Sequence, residues 1–156
     1  MKKKSKYKIN WKLLAIAFIS VILVAFIGSQ FTSPNTSTEW YDSIRPSITP
    51  PNWVFPIVWN ILFFLIALAF YFTLLKGDKT KVAVAFAINF ILNILWSALY
   101  FGLKDPLLAF IEIIILWVSI LYMMMLSFKI DKKAGWFLLP YLLWVSFAAI
   151  LNVLSV

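Results

Sequence analysis

Five long apolar runs occupy most of the chain, and they constrain its fold more than any other feature. They cover about residues 13–31, 54–75, 82–101, 106–128 and 135–155. Each approaches the roughly 20 residues that an α-helix needs to cross a bilayer, and none alternates like a membrane-spanning strand. With 63% hydrophobic and 13% charged residues, a soluble fold could not bury this much apolar surface. We therefore predict an all-α, polytopic membrane protein, with a single five-helix transmembrane bundle over residues 1–156.

Basic residues are distributed unequally between the two ends of the predicted helices. If the N-terminus is inside, the inner segments hold twelve of the 14 basic residues, and the outer segments hold only Arg45 and Lys104. The twelve are Lys2, Lys3, Lys4, Lys6, Lys8, Lys12, Lys76, Lys79, Lys81, Lys129, Lys132 and Lys133. Positive residues concentrate on the cytoplasmic side of membrane proteins. We predict a cytoplasmic N-terminus, an outer C-terminus and contact with anionic membrane lipid, and no nucleic-acid site despite the net charge of +8.

The first apolar run also has the character of a signal peptide, because lysines precede it. No small-x-small cleavage site follows it, since Ala25-Phe26-Ile27 ends in isoleucine, so we expect a retained helix. Together with the short loops and the absence of cysteine, this indicates a multi-pass protein of a bacterial cell membrane.

The chain contains no cysteine and no histidine. Disulfides, Cys/His zinc sites and imidazole haem ligation are therefore excluded, as are catalytic triads that need either residue. The six acidic residues are scattered singly along the sequence. We predict no metal site, no cofactor and no ordinary acid–base catalytic centre.

The connection over residues 32–53 is the one long loop, and we call it the lid. It contains four of the seven prolines (Pro34, Pro46, Pro50 and Pro51) together with the aromatic residues Trp40, Tyr41 and Trp53. Prolines limit helix and favour extended or turn geometry. Long loops between tightly spaced elements are more often functional than incidental, although a disordered spacer is the alternative.

Polar side chains recur at helical spacing inside the predicted spans. Asn89, Asn93, Trp96 and Tyr100 form one stripe on the third span, and Trp144, Ala148 and Asn152 form another on the fifth. Asparagine in hydrocarbon needs a partner, so these stripes either join helices or line a polar, aromatic cavity. Asn89, Asn93 and Trp144 fall near the middle of the membrane. The outer half holds Asn60, Trp96, Glu112, Ala148 and Asn152, which favours a cavity beneath the lid. We expect Glu112 in the fourth span to be neutral or hydrogen-bonded to indole or amide donors.

Small residues mark the opposite side of the third span. Ala83, Ala87, Ile94 and Ala98 recur there at helical spacing. Small side chains allow close helix approach in membranes, so a homodimer face is one interpretation. Alanine is also common in membrane helices, and the stripe fits that alternative equally.

Several motifs in these segments resemble one known family. They are Trp40-Tyr41, Arg45-Pro46, Pro50-Pro51-Asn52-Trp53-Val54-Phe55 and Trp59, then Leu92-Asn93-Ile94-Leu95-Trp96-Ser97, and finally Leu139-Pro140-Tyr141-Leu142-Leu143-Trp144, Phe147-Ala148 and Leu151-Asn152. In order and spacing the chain resembles the tryptophan-rich sensory protein / translocator protein family, also called TspO/MBR or the peripheral benzodiazepine receptor family.

The resemblance implies a receptor for porphyrins such as protoporphyrin IX and for synthetic isoquinoline carboxamide or benzodiazepine-type ligands, with the pocket below the first loop. By motif match the pocket-lining residues would be Trp53, Phe55, Asn89, Asn93, Trp96, Trp144 and Ala148, and the lid would present Trp40, Tyr41, Arg45, Pro46, Pro50 and Pro51. The chain ends without the tyrosine and basic residue that sterol-binding members carry in the fifth helix, which argues against sterol recognition by that motif.

Three functional hypotheses follow. The first is binding or transport of a flat, largely apolar tetrapyrrole. The second is light-dependent porphyrin degradation, which the resemblance associates with Trp53 and Trp144. The third is a membrane assembly or stress-regulation partner without a small ligand of its own, supported only by the alanine stripe.

Overall fold

The computed structural model describes residues 8–156 as five long helices and one short one. The long helices are α1 (Trp11–Thr32), α3 (Val54–Lys76), α4 (Lys79–Ser97), α5 (Pro106–Ile130) and α6 (Lys132–Val153), and the short helix α2 is Glu39–Ile44. A π-helical turn over Ala98–Gly102 continues α4. The described residues contain no strand. Lys2, Lys3, Lys4 and Lys6, which the charge argument uses, lie outside the described residues.

The all-α prediction of five spanning helices is confirmed. Each long helix, with the π-helical turn included in the third span, is long and apolar enough to cross a membrane. The observed helices extend one to three residues beyond the predicted runs at most ends. The unexpected element is α2 within the lid. It forms because Thr38 accepts a hydrogen bond from the N–H of Tyr41, which is the interaction of a helix N-cap, and because the lid prolines all lie outside its six residues.

Polar side chains cap the starts of four of the five long helices, and α3 begins without such a cap. Asn10, Asp78, Asp105 and Asp131 each accept a hydrogen bond from a backbone N–H in the first turn of the helix that follows. Pro106 occupies the first turn of α5, where its missing N–H removes no helical hydrogen bond. The helix boundaries therefore follow from local sequence.

Contacts between helix ends define two ends of the bundle. At one end, which we call the basic end, Lys76 of α3 pairs with Asp131 between α5 and α6, and the N–H of Asn10 donates to the Tyr71 hydroxyl. At the other end, which we call the lid end, the Tyr100 hydroxyl donates to Ser155. The lysines that the charge argument assigns to the inner side, as far as the structure describes them, surround the basic end.

The helices pack through close side-chain contact, which drives association in lipid where the hydrophobic effect between helices is weak. α5 packs along α6 and α4, and α1 packs on α3 and α4. Near the basic end the Phe70 and Phe86 rings stack with centroids 4.5 Å apart, and Met123 and Leu138 are fully buried. Among the described residues, no Cα atom of α1 lies within 8 Å of a Cα atom of α6.

Asp131 joins three elements at the basic end, and we expect its removal to destabilise the bundle. Burial raises the pKa of this carboxyl, but hydrogen bonds from Lys76 and from the backbone N–H groups of Lys133 and Ala134 outweigh that effect and hold the pKa below its ordinary value. The carboxylate therefore stabilises the fold fully above the unfolded pKa, about 3.9, and this stabilisation is lost as the pH falls through the lower folded pKa.

Asp131→Ala is expected to lower the free energy of unfolding by about 1 kcal/mol at neutral pH, with the difference from wild type shrinking near pH 4 and below. Thermal unfolding in detergent at several pH values measures it. Asp78→Ala, which removes a similar cap from a more exposed carboxylate, is the control. A difference from wild type that stays constant with pH would contradict the assigned role of the ionised carboxylate.

The alanine stripe of α4 lies partly on the lipid-facing surface. Ala83 and Ala87 are exposed, and Ile94 and Ala98 are half-buried. The stripe is therefore accessible to a second copy of the chain, and the homodimer stays a prediction.

Candidate functional site

A cavity of about 700 Å³ lies at the lid end, between α1, α3, α4, α5, α6 and the lid. Residues of every long helix line it: Gly28 and Ser29 from α1, Phe55 and Trp59 from α3, Asn93 and Trp96 from α4, Ile113 and Leu116 from α5, and Trp144 and Ala148 from α6. Its volume falls within the usual 300–1,000 Å³ of small-molecule sites.

Three tryptophans form the aromatic walls of the cavity. Trp144 meets Phe55 edge to face at 5.8 Å between ring centroids, and Trp59 meets Tyr141 at 6.1 Å. Trp96 stacks on Tyr100 at 5.2 Å. All three tryptophans line the cavity and are half-buried. Because aromatic neighbours hold these rings in place, the ring faces that stay uncovered are available for contact with a molecule in the cavity.

A buried chain of hydrogen bonds fixes the orientation of Asn93. The Ser119 hydroxyl donates to the Leu116 carbonyl, so it accepts from Asn89 Nδ2 at 2.9 Å. The Asn89 carbonyl oxygen is then the acceptor for the Tyr141 hydroxyl at 3.3 Å, and that hydroxyl accepts from Asn93 Nδ2 at 3.0 Å. Each hydroxyl has one proton to donate, so the direction is determined along the whole chain.

This orientation decides the environment of the side-chain carbonyl oxygen of Asn93. Its Nδ2 is used by Tyr141, and its carbonyl oxygen accepts no hydrogen bond from any described residue. Asn93 lines the cavity and is 8% exposed. The site therefore offers an oriented acceptor for an N–H or O–H group of a ligand.

A second set of hydrogen bonds holds the lid end of the bundle together. The Trp96 indole N–H donates to Asn152 Oδ1 at 2.9 Å, and Asn152 Nδ2 donates to the Pro106 carbonyl at 2.8 Å. Asn152 thus links α4, α5 and α6. The partners predicted for the buried indole and amide groups are present, and they position Trp96 in the cavity wall.

The lid closes the cavity at its own end of the bundle. Tyr41 is 6% exposed and packs on Phe101 of the π-helical turn, with ring centroids 5.6 Å apart. Arg45 donates to the Asn52 side chain at 3.2 Å and to the Pro50 carbonyl at 3.3 Å. Asn52 in turn donates to the Thr36 carbonyl at 3.1 Å. Burial raises the pKa of the Tyr41 phenol, although the positive charge of Arg45 opposes that shift.

Cation–π contacts reinforce the lid from both sides. The Arg45 guanidinium lies 5.8 Å from the centre of the Tyr41 ring, and the Lys104 ammonium lies 5.6 Å from that of Trp40. Lys104 has a positive φ of 56° just after the π-helical turn, a backbone conformation that is uncommon outside glycine. Arg45 and Lys104, the two basic residues predicted to lie on the outer side, therefore both form cation–π contacts with aromatic rings of the lid.

The structure brings most, but not all, of the predicted pocket residues together. Phe55, Asn93, Trp96, Trp144 and Ala148 line the cavity. Asn89 lies behind the wall, fully buried in the hydrogen-bond chain. Trp53 lies outside the cavity lining, with 66% of its surface exposed. The two tryptophans associated with photochemistry therefore have different environments.

The predicted lid residues also divide into two groups. Tyr41 and Pro46 line the cavity, together with Thr49 and Asn52. Trp40, Arg45, Pro50 and Pro51 do not line it. Trp40 instead packs on Tyr100 at 5.9 Å, and Arg45 orders the lid through its hydrogen bonds.

Sequence reasoning missed the role of Tyr141 and the α1 wall. Tyr141 lies in a quoted family motif, and the unpaired amides of Asn89 and Asn93 were a signal that a buried donor and acceptor should face them. The α1 residues gave no such signal, because that helix is apolar on almost every side.

Of the two alternatives predicted for Glu112, neutral or hydrogen-bonded to indole or amide donors, the structure does not show the hydrogen bonds. It is 5% exposed, and neither carboxylate oxygen has a hydrogen-bond partner among residues 8–156. The expected indole or amide donors are committed elsewhere: Trp96 donates to Asn152, and Trp117 donates to Ser146. The described residues also contain no group of three potential metal ligands.

Comparison with known proteins gives a consistent result. The sequence model of the TspO/MBR family matches residues 15–155. The chain is 39% identical to tryptophan-rich protein TspO of Chlorobaculum tepidum over 143 residues, covering 89% of this chain and 90% of that protein. It is 37% identical to tryptophan-rich protein TspO of Archaeoglobus fulgidus, covering 89% and 92%, and 30% identical to protein CrtK of Rhodobacter capsulatus, covering 90% and 88%.

Proposed function

The chain belongs to the TspO/MBR family of membrane proteins, and on that premise we propose that it is a receptor for porphyrins such as protoporphyrin IX. Synthetic isoquinoline carboxamide or benzodiazepine-type compounds would occupy the same site. The observation that carries the proposal is the cavity of about 700 Å³ with three tryptophans in its walls.

The shape and chemistry of the cavity suit a planar, largely apolar ligand. Indole faces stack favourably on flat aromatic rings, and Trp59, Trp96 and Trp144 approach the cavity from three different helices. The carbonyl oxygen of Asn93 can accept a hydrogen bond from a pyrrole N–H. Because the sequence has no histidine or cysteine, a free-base tetrapyrrole matches the available side chains better than a haem held by those residues.

We place the protein in a bacterial cell membrane, with the N-terminus in the cytoplasm and the lid end outside. The described lysines of the basic end, among them Lys79, Lys81 and Lys129, lie beyond the apolar parts of the spans. They would meet the anionic lipids of the inner leaflet. The cavity and its lid would then lie in the outer half of the membrane.

Titration of the purified protein in lipid nanodiscs with protoporphyrin IX tests the proposal. Saturable quenching of tryptophan fluorescence at one site per chain is expected, and an isoquinoline carboxamide should displace the porphyrin. Empty nanodiscs of the same lipid composition are the control. Quenching no stronger than partition into empty nanodiscs would contradict the proposal and favour the assembly-partner alternative.

A further inference from the structure

One side of α3 changes from buried to exposed along the length of the helix. Asn60, Ala67 and Tyr71 follow one another at spacings of 7 and 4 residues, so they share one side of the helix. Ala67 and Tyr71 are 0% and 6% exposed, respectively, whereas Asn60 is exposed. The same side of α3 is therefore covered toward the basic end and uncovered toward the lid end.

Helix α1 is the element that covers it. The N–H of Asn10 donates to the Tyr71 hydroxyl at 3.2 Å, and Phe18 meets Phe64 edge to face at 5.8 Å. Beyond Phe18, no hydrogen bond or ring contact joins α1 to α3 among the described residues. These two contacts lie in the part of α1 nearest the basic end, and toward the lid end residues of both helices line the cavity.

The gap between them is continuous with the cavity. Its edges are Ile22 and Phe26 on α1 and Pro56 and Asn60 on α3, and we call it the α1–α3 cleft. All four residues line the cavity. Ile22 and Phe26 are nevertheless 62% and 63% exposed, so the same side chains border both the cavity and the outer surface of the bundle.

The cleft lies at the depth of the lipid acyl chains in the bilayer. Ile22 lies ten residues before the end of α1, or about 15 Å at the rise of an α-helix. Asn60 lies six residues into α3, or about 9 Å. Both positions fall within a hydrocarbon core of about 30 Å. The lid, by contrast, is ordered internally by the hydrogen bonds of Arg45 and Asn52, and its Tyr41 packs on Phe101 of the bundle.

Asn60 is able to form a hydrogen bond with a polar group of an entering ligand. Its Nδ2 donates to the Pro56 carbonyl of its own helix at 2.9 Å, and its carbonyl oxygen accepts nothing from the described residues. An exposed amide within a span is unfavourable unless it faces a polar partner. Ser29, which also lines the cavity and whose hydroxyl donates to the Phe26 carbonyl at 2.7 Å, is a second polar residue on the α1 side.

We propose that the ligand enters and leaves the cavity from the bilayer, through the α1–α3 cleft, while the lid stays closed. The inference rests on the proposed receptor function and specifies its ligand class: a planar amphiphile that partitions into lipid before it binds. The apolar edges Ile22 and Phe26 suit its ring system, and Asn60 and Ser29 suit a polar substituent.

Binding kinetics in nanodiscs test this route, with protoporphyrin IX supplied in lipid vesicles and its own fluorescence followed by stopped flow. Asn60→Phe narrows the cleft, and we expect association and dissociation to slow together by about fivefold, which corresponds to about 1 kcal/mol in the barrier. The equilibrium affinity should change less than either rate. Ile61→Phe, at a neighbouring lipid-facing position that is 56% exposed and outside the lining, is the matched control.

Phe26→Ala tests the proposal in the opposite direction. It widens the cleft because it truncates a lipid-facing side chain, so the association and dissociation rates should both rise. Wild-type binding with normal rates in both cleft variants would overturn the entry route alone, and faster exchange in Arg45→Ala would then assign entry to the lid. Failure of the wild-type protein to bind porphyrin would overturn the receptor function and the route together.

Discussion

Trp144→Ala is expected to weaken protoporphyrin IX binding by at least about 1 kcal/mol, roughly a fivefold rise in Kd. Trp144 lines the cavity, and its edge-to-face contact with Phe55 and its contact with Phe147 at 5.7 Å hold the indole in place. Removing the ring deletes a stacking surface and leaves Phe55 without its aromatic neighbour. Fluorescence titration in nanodiscs measures the change.

Trp136→Ala is the matched control for this measurement. Trp136 lies on the same helix, at the basic end, and is 62% exposed. Its removal deletes the same chemical group without touching the cavity, so porphyrin affinity should not change. Equal affinities for wild type and Trp144→Ala would contradict the assigned site.

Ala148→Phe is expected to reduce binding still more strongly, by about 10- to 100-fold, because an added ring in an occupied space costs about 1–3 kcal/mol. Ala148 lies one helical turn beyond Trp144 and lines the cavity. The phenyl ring would fill the volume beside the Trp144 indole, which the ligand would otherwise use. The same titration measures the effect.

The thermal stability of the variant separates blocking from misfolding. A side chain that fills empty space should leave the melting temperature of the unliganded protein unchanged or raise it, while ligand binding is lost. Ile150→Phe, at an exposed position outside the lining, controls for added bulk on α6. Retained affinity in Ala148→Phe would show that the ligand lies elsewhere.

The helices could be predicted from sequence because each depends on local properties. Length and apolarity identify the spans, and Asp78, Asp105 and Asp131 fix their starts through hydrogen bonds to nearby N–H groups. The short helix α2 was missed because the lid prolines dominate the composition of that segment. Its cap, Thr38, was visible in the sequence but carries little weight without an apolar repeat after it.

The site was predictable where the polar and aromatic stripes of two different helices line the same cavity. Asn93 and Trp144 both line the cavity, as expected from polar and aromatic residues at helical spacing. Asn89 shares the stripe of Asn93, and only the three-dimensional chain through Tyr141 separates the residue behind the wall from the residue within it. Spacing places a residue on a face, but it does not give its distance from a neighbouring helix.

The position of Trp53 and the α1–α3 cleft could not be obtained from the sequence. Trp53 lies where the lid joins α3, and the direction of a side chain at such a junction depends on how the lid folds. The cleft depends on how α1 packs on α3, through contacts such as Phe18–Phe64, between residues far apart in the chain. An almost uniformly apolar helix carries no periodic signal for which side it buries.

The proposed ligand would link occupancy of the cavity to the lifetime of the protein, because residues of both α1 and α6 line the cavity. A bound molecule would contact the two helices at once and so stabilise the folded bundle. Anything that binds only the folded state stabilises it by RT ln(1 + [L]/Kd). Proteolysis in cells removes the less stable population first, so the copy number of this protein would follow the supply of its ligand, even with unchanged synthesis.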